Sequence, residues 1–430
     1  MRHRLHALEI FGIKLGLENI TRLCGALGHP ERAFTSVHVA GTNGKGSVTA
    51  MVHTALRAAG IHAARYTSPH LTQLNERFVI GDSPVADADL DAAGTHVLDV
   101  ADHLVATGRL AAPPTFFEAT TAIAFELFAR AGVRVAVLEV GLGGRFDATN
   151  VVSPVAGAIT SIGLDHQAQL GDSLASIAFE KAGIIKPGMA VIVGELPPEA
   201  DDVVRRAALE RGATLVNARE GARVAADMHD GHVTVDLTTP LHAYGAVRLA
   251  LAGEHQVGNA LVAVRLLETL REGGMRVGFD AIARGLAEAR WPARLERVYL
   301  DDGRSVLIDA AHNPDGAAAL ARYLERCHPD RPPLVFAAMR DKDVDGMLRA
   351  LLPVTRAVIV TTPATPRAED PHALAARVLA LDPEREVLVE PDPAHAVARA
   401  LTWAPLACVA GSIFLAGAVR EALRGRAILP

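Results

Sequence analysis

Val39-Ala40-Gly41-Thr42-Asn43-Gly44-Lys45-Gly46-Ser47 is the stretch that decides the fold class. A short apolar run, Ser36 to Ala40, enters it, and Val48, Met51, Val52, Ala55, Leu56 and Ala59 leave it at helical spacing until Gly60. A strand that runs through glycines into a helix gathers backbone N–H groups at a helix N-terminus, where phosphate oxygens bind. Lys45 adds a positive charge and Ser47 a hydroxyl for Mg²⁺, so Gly41, Thr42, Asn43, Gly44, Lys45, Gly46 and Ser47 read as a nucleotide-phosphate loop. The stretch is a variant of G-x-x-x-x-G-K-[ST], because Gly46 separates Lys45 from Ser47. A Gly-rich turn without ligand is the plainer alternative; the strand-to-helix setting of the lysine and serine favours phosphate.

Outward from the loop, short β-branched runs alternate with Ala/Leu-rich helical stretches, the signature of βαβ units, and the fold class is α/β with mostly parallel sheets. Strands are expected at Val37 to Ala40, Ala63 to Tyr66, Val133 to Val140, Val155 to Ile162 and Ala190 to Val193. Four of them end in polar residues: the phosphate loop, Thr67-Ser68-Pro69-His70, Glu139 with Gly141 to Arg145, and Asp165-His166. Open α/β sheets bind ligands beyond the carboxyl ends of their strands, so these loops should converge.

From Gly194 to Leu251 the regularity is lost; the alternation Val233 to Leu237 suggests an antiparallel hairpin at the edge of the first domain, with no readable function. Pro292 interrupts a helical stretch at Arg290-Trp291-Pro292, which puts a boundary between residues 1–290 and 291–430. Beyond it, strands at Val306 to Ile308, Leu334 to Ala337, Ala357 to Val360, Glu386 to Val389 and Ala407 to Ala410 predict a smaller Rossmann-like α/β domain. No G-x-G-x-x-G follows its first strand, which disfavours a dinucleotide.

With 430 residues, half of them hydrophobic, the chain has material for more than one core. A net charge of -6 and 4% aromatic residues argue against a nucleic-acid surface and for small-molecule partners. Cys24, Cys327 and Cys408 are scattered, without metal or disulfide spacing, as in a reducing cytosol. Glu9 and Lys14 interrupt any secretory apolar segment, and no run reaches the ~18 apolar residues of a membrane span, so a cytoplasmic protein is expected.

Glu139 closes the apolar run Val135 to Leu138, where a carboxylate needs a cation or donors; Mg²⁺ would serve, a helix cap or surface carboxylate being the alternative. His166 reads equally as a loop histidine or a ligand. Lys181, in a helix end closed by Gly183 and Pro187, reads by its chemistry alone as a solvated lysine favoured by the dipole. Asp309 and His312 follow a strand end of the second domain, facing the first. Arg294 stands just past the boundary as either an ion-pair residue or a phosphate clamp.

Taken in order, Gly41 to Ser47, Thr67-Ser68-Pro69-His70-Leu71, Glu139 to Asn150, Leu164-Asp165-His166, Glu180-Lys181-Ala182-Gly183-Ile184, His255-Gln256-Val257-Gly258-Asn259-Ala260 and Asp309-Ala310-Ala311-His312-Asn313-Pro314 resemble the folylpolyglutamate synthase/dihydrofolate synthase family. These motifs span nearly the whole chain. The two-domain plan and the loop are shared with the wider Mur-type ligases; the Asn43-to-Gly46 form and the run after Gly143 resemble the folate branch.

The resemblance implies an N-terminal P-loop ATPase domain, a C-terminal ligase domain, and ATP-driven formation of an amide through an acyl phosphate. On the matching positions, Lys45 would hold the β- and γ-phosphates, and Ser68, Glu139 and His166 would bind Mg²⁺, with Ser47 placed to help. Lys181 would be N-carboxylated and support a second Mg²⁺. Asn259 would contact adenine, while Arg294, Asp309 and His312 would close on ATP. For the pterin-bearing substrate the resemblance points to Gly16, Leu17, Thr115, Phe116, Phe117, Glu118, Phe146, Asp147 and Ala148. Phe117 would stack on the ring and Asp147 accept its N–H groups, although Phe116 and Phe117 also suit a core at a helix start. Ala293 departs from the glycine usual before the arginine, which touches the local backbone conformation.

The implied partners are ATP, L-glutamate and dihydropteroate or a folate, with a monomer expected. Two other readings stay open: a nucleotide-gated binding protein without ligation, and a Mur-type ligase acting on a cell-wall precursor.

Overall fold

The computed structural model describes residues 1–12, 14, 16–424 and 427–428. Eight strands make the first sheet: β1 (Thr35–Ala40), β2 (Ala63–Tyr66), β3 (Phe78–Ile80), β4 (Ser83–Pro84), β5 (Val135–Glu139), β6 (Ala156–Ile159), β7 (Ala190–Val193) and β8 (Thr214–Asn217). Their order is β4-β3-β2-β5-β1-β6-β7-β8. Pairing is parallel from β2 to β8, and β3 and β4 add an antiparallel edge.

Helices cover both faces, which is why β5 reads as an unbroken apolar run rather than an alternating one. Val135 and Val137 enter the core under the helix Lys45–Ala58, while Ala136 and Leu138 enter the core under the helices Asp87–Ala106 and Phe116–Arg130. The two-residue period of a strand then puts Glu139 on the face of Val137, toward the phosphate-loop helix. The chain crosses from β1 to one side for β2 and β5 and to the other for β6. The carboxyl end of β1 is therefore the switch point where a crevice opens.

The segment after Gly194 contains the expected antiparallel pairing at Val233 to Leu237 and more besides. It first completes another βα unit, the helix Pro198–Glu210 and the parallel strand β8. It then forms a separate three-stranded antiparallel sheet of β9 (Arg223–His229), β10 (His232–Thr238) and β11 (Ala243–Arg248). Val233, Val235 and Leu237 turn inward from β10 onto the core shared with the helices Lys45–Ala58, His255–Glu272 and Phe279–Glu288, so this sheet backs the phosphate-loop helix.

The second sheet contains β12 (Glu296–Leu300), β13 (Ser305–Ile308), β14 (Leu334–Phe336), β15 (Ala357–Val360), β16 (Glu386–Val389), β17 (Leu406–Ala410) and β18 (Ala427–Ile428), in the order β16-β15-β14-β17-β13-β12-β18. Five strands are parallel, as the βα pattern requires; β12 runs antiparallel to β13 and to β18. Its pattern leaves only Val298 fully buried, and such a strand carries little apolar signal.

Candidate active site

The phosphate loop is braced from β6. Thr160 Oγ1 donates to the Asn43 carbonyl (2.5 Å), Ser161 Oγ lies 3.0 Å from both the Asn43 amide and carbonyl, and the Thr42 amide donates to the Ser161 carbonyl (2.8 Å). Gly44 has φ +85°, and a Cβ there would stand 3.1 Å from Asn259 Cγ. Asn259 in turn donates to Gln256, whose amide donates to Ser47 Oγ (3.3 Å). Gly46 accounts for the departure from the usual loop spacing: a Cβ there would fall 2.5 Å from Cε2 and 2.6 Å from Nε1 of Trp291. The linker tryptophan is seated directly on the loop, with the Arg65 guanidinium 5.3 Å over its ring.

Two lysines point into this loop. Lys45 Nζ donates to the carbonyls of Gly41 and Thr42 (3.0 Å each), and Lys181 Nζ donates to the Gly41 carbonyl (2.9 Å). Burial lowers the pKa of Lys45, against the pull of Glu139 and Asp165. Burial also brings Lys181 down to about 7, with Lys45 pushing the same way. Lys181 is 5% exposed, not the solvated residue its local sequence suggests.

Glu139 is buried, and its Oε2 accepts the Ser68 amide (3.2 Å). Burial raises its pKa; the cation Lys45 and the Ser68 amide oppose that. His166 has φ +51° and stands beside Asp165, its Nε2 3.3 Å from Lys342 Nζ. Burial and Lys342 hold it down to about 4, so the ring is neutral and Nε2 accepts from the Lys342 ammonium. Among the described residues no three His, Cys, Asp or Glu side chains cluster closely enough to hold a metal ion by themselves.

The second domain meets the loop through β13. Asp309 accepts the amides of Leu295 (2.9 Å) and Ala311 (2.8 Å), one on each oxygen, and so ties the strand end to the segment that carries Arg294. Ala293 and Leu295 flank Arg294 with φ +55° and +49°, left-handed conformations in residues with a Cβ. Arg294 Nη1 donates to the Ala293 carbonyl (2.8 Å); burial lowers its pKa, and Asp309 and Glu139 oppose. His312 Nδ1 lies 2.9 Å from the Ala310 carbonyl, which makes Nδ1 the protonated nitrogen and turns Nε2 toward Asp165, 3.7 Å away.

Asp165 is the hub between the sheets. Its Oδ1 pairs with Lys342 (2.5 Å) and its Oδ2 accepts from Asn313 (3.2 Å), while Asn313 also donates to Asn43 of the loop (3.1 Å). Lys342 was missed by the sequence reading. Asp341-Lys342-Asp343 lies past the end of β14, and the strand-end rule that found the first-domain loops would have found it too.

At the aromatic end, Thr115 and Glu118 form a capping box at the start of a helix, and Glu118 Oε1 is buried without a partner among the described residues. Phe117 lies against Gly141, where a Cβ would meet the ring at 2.5 Å; Phe116 sits under the Arg77 guanidinium (5.2 Å), and Phe146 under that of Arg145 (4.2 Å). Asp147 accepts the Leu142 amide (2.8 Å) and the Thr149 amide (3.0 Å) on its two oxygens. Burial raises its pKa and these donors oppose the rise.

A single cleft of about 1040 Å³ takes in the phosphate loop, both lysines, Glu139, the Arg294–His312 face and the aromatic end. Gly16, Ser68, Thr115, Phe116, Phe117, Glu118, Phe146, Asp147, Ala148, His166 and Asn259 also line it. Leu17 does not: it packs against the core beneath.

Residues 39–267 match the Mur ligase middle domain, and residues 293–416 the Mur ligase glutamate ligase domain. The chain is 36% identical to dihydrofolate synthase/folylpolyglutamate synthase of Bacillus subtilis, over 85% of each protein. It is 39% identical, over 86% of its length, to a probable bifunctional folylpolyglutamate synthase/dihydropteroate synthase of Haloferax volcanii, and spans only 44% of that longer relative. The fold superposes on folylpolyglutamate synthase of Mycobacterium tuberculosis, solved with ADP and AMPPCP, with a TM-score of 0.91 and 35% identity, covering 98% of this chain and 97% of that one. A nucleotide-phosphate loop facing a ligase domain across one cleft, together with these likenesses over most of the chain, shows that it belongs to the dihydrofolate synthase/folylpolyglutamate synthase family, ATP-dependent glutamate ligases of the Mur type.

Proposed function

We propose that this chain activates the carboxyl group of dihydropteroate, or the terminal carboxyl of a folate, with ATP and joins it to the amino group of L-glutamate. The observation that carries this reading is the continuity of the cleft: phosphate loop, second-domain arginine and aromatic end open into one space. A carboxylate oxygen attacks the γ-phosphorus and ADP leaves; the glutamate nitrogen then attacks the acyl carbon, phosphate leaves, and the nitrogen loses a proton. The first step brings two anions together, and Lys45 and Arg294 offset the repulsion from opposite walls. Asn259 is read as an adenine contact and Asp309 as the brace that keeps Arg294 aimed. His312 presents an unprotonated Nε2 on the same wall. A closed cleft excludes water that would hydrolyse the acyl phosphate.

Glu139 fits a hard cation: it is a buried carboxylate with one backbone donor, and Mg²⁺ takes one or two protein oxygens and completes its shell from phosphates and water. Glu139, Ser68 and His166 would hold it, and bound there it would withdraw charge from the transferring phosphoryl group. Lys181 fits N-carboxylation, because only a neutral amine adds CO₂ and a pKa near 7 keeps a large neutral fraction. The carbamate would supply oxygens for a second Mg²⁺ in a place the sequence leaves without a carboxylate. Gly16, Thr115, Phe116, Phe117, Glu118, Phe146, Asp147 and Ala148 are assigned to the pterin-bearing substrate. The reading includes a monomer acting in the cytoplasm, in keeping with three free cysteines. Among the described residues no helix is long and apolar enough to cross a membrane.

The test is ADP release and product mass with glutamate and either dihydropteroate or tetrahydrofolate. Product one glutamyl unit heavier than the acceptor supports the assignment; folded protein that releases no ADP with either acceptor, or that acts instead on a UDP-sugar peptide, refutes it.

A further inference from the structure

We infer that His38, acting through Thr149, is a positioning residue that sets the Asp147 carboxylate and the loop around it for the pterin-bearing substrate. His38 lies in β1, fully buried, on the strand that feeds the phosphate loop. Its Nε2 is 2.8 Å from Thr149 Oγ1, and that hydroxyl is 2.5 Å from Asp147 Oδ1.

The direction of both bonds follows from proton counting. The Asp147 carboxylate accepts the Leu142 and Thr149 amides and acts as an acceptor toward the hydroxyl as well. The single hydroxyl proton of Thr149 therefore goes to Asp147, and the Thr149 oxygen accepts from His38. His38 must carry its proton on Nε2, leaving Nδ1 bare, and Nδ1 is buried without a partner among the described residues. Burial, with Lys186 nearby, holds the ring down to about 3, so it stays neutral and the relay keeps one polarity. A neutral donor is what the site needs: it orients Asp147 without cancelling the charge that a pterin N–H would use. Asp147 also caps the short helix Ala148–Val151, so its rotamer sets the course of Phe146 and Ala148 along the cleft.

The inference rests on the assignment of this end of the cleft to the pterin. His38→Leu removes the donor; His38→Gln restores one at about the reach of Nε2. In His38→Leu the KM for dihydropteroate should rise about fivefold, the worth of one hydrogen bond between neutral groups, with kcat and the KM for ATP within about twofold. His38→Gln should recover most of the loss. Thr149→Val, which deletes the hydroxyl and with it both bonds of the relay, should raise that KM at least as much as His38→Leu and serves in its place if that variant does not fold. An unchanged dihydropteroate KM, or equal rises for dihydropteroate and ATP, overturns the inference. Failure of the pterin assignment shows separately, as wild-type protein inactive with pterins. In that case amide exchange over 141–150 decides: faster exchange in His38→Leu upholds the relay, and unchanged exchange overturns it.

Discussion

Lys181 is where local sequence and tertiary setting disagree most. Its neighbours Ile177, Ala178 and Ala182 are buried on the same face of the helix Leu174–Ala182, so the lysine stands on the apolar stripe. That spacing was open to inspection; the glycine and proline after it drew the reading to a solvated helix end instead. Replacing Lys181 by Ala should lower turnover at least about 100-fold while leaving the ATP Kd within about threefold, by calorimetric titration, because the proposal gives the phosphates to Lys45 and the loop amides. Unchanged turnover would remove the carbamate from the proposal. The depressed pKa also fixes a sign. An unfolded lysine keeps its proton to about pH 10.4, whereas the folded one releases it near 7, so between these values the unfolded state holds more protons and stability rises with pH. In CO₂-free buffer, wild-type protein should gain denaturation free energy over Lys181→Met as pH goes from 7 to 10. A flat difference would show that the amine is not desolvated.

Among elements, apolar strands were the legible ones, even at an edge, as at Glu386–Val389. The strands Ala190–Val193 and Ala357–Val360 were read to the residue, because both faces of the sheet are covered and the sequence is continuously apolar. Strands β3, β4, β8 and β12 went unread: they are short, at or near edges, or half exposed, and an exposed antiparallel strand needs no apolar run. The loop motif was legible, but the reason for its extra glycine was not, since Trp291 reaches Gly46 from 245 residues away in the sequence. The interlocking of loop and linker makes Gly46→Ala a test of the element. The added methyl must displace the indole or the helix start, an overpacking cost of about 1–3 kcal/mol, and should lower both Tm and ATP affinity, the latter by about tenfold or more. ATP affinity at the wild-type value would mean that the indole gives way without moving the loop.

Across the whole molecule, the two sheets meet through a buried charge. The side chains of Asp165 and Lys342 are 9% and 6% exposed, and the pair is joined by Asn313, which also holds Asn43. Removing one member of such a pair strands the other and costs roughly 3–5 kcal/mol. The cheapest relief in this fold is to separate the sheets and let water reach Asp165. Lys342→Met should therefore enlarge the radius of gyration in solution scattering and cut kcat more than tenfold, with little dependence on salt for the intact pair. A compact, fully active variant would show that Asp165 does not join the lobes. The convergence of strand-end loops at this level was readable from the topology rule, which brought Asp309 and His312 to the cleft and reaches Lys342 as well; the pairing of Lys342 with Asp165 was not, because charge pairing across 177 residues leaves no local trace.

Trp291 and Trp403 are the only two indoles in the chain, and one of them rests on the glycine in the first turn of the phosphate-loop helix. The protein thus carries its own optical gauge of occupancy. With Trp403→Phe as background, emission at a single site would register nucleotide arrival as a change in colour and intensity, and the rate of that change would time the approach of the lobes without any attached dye.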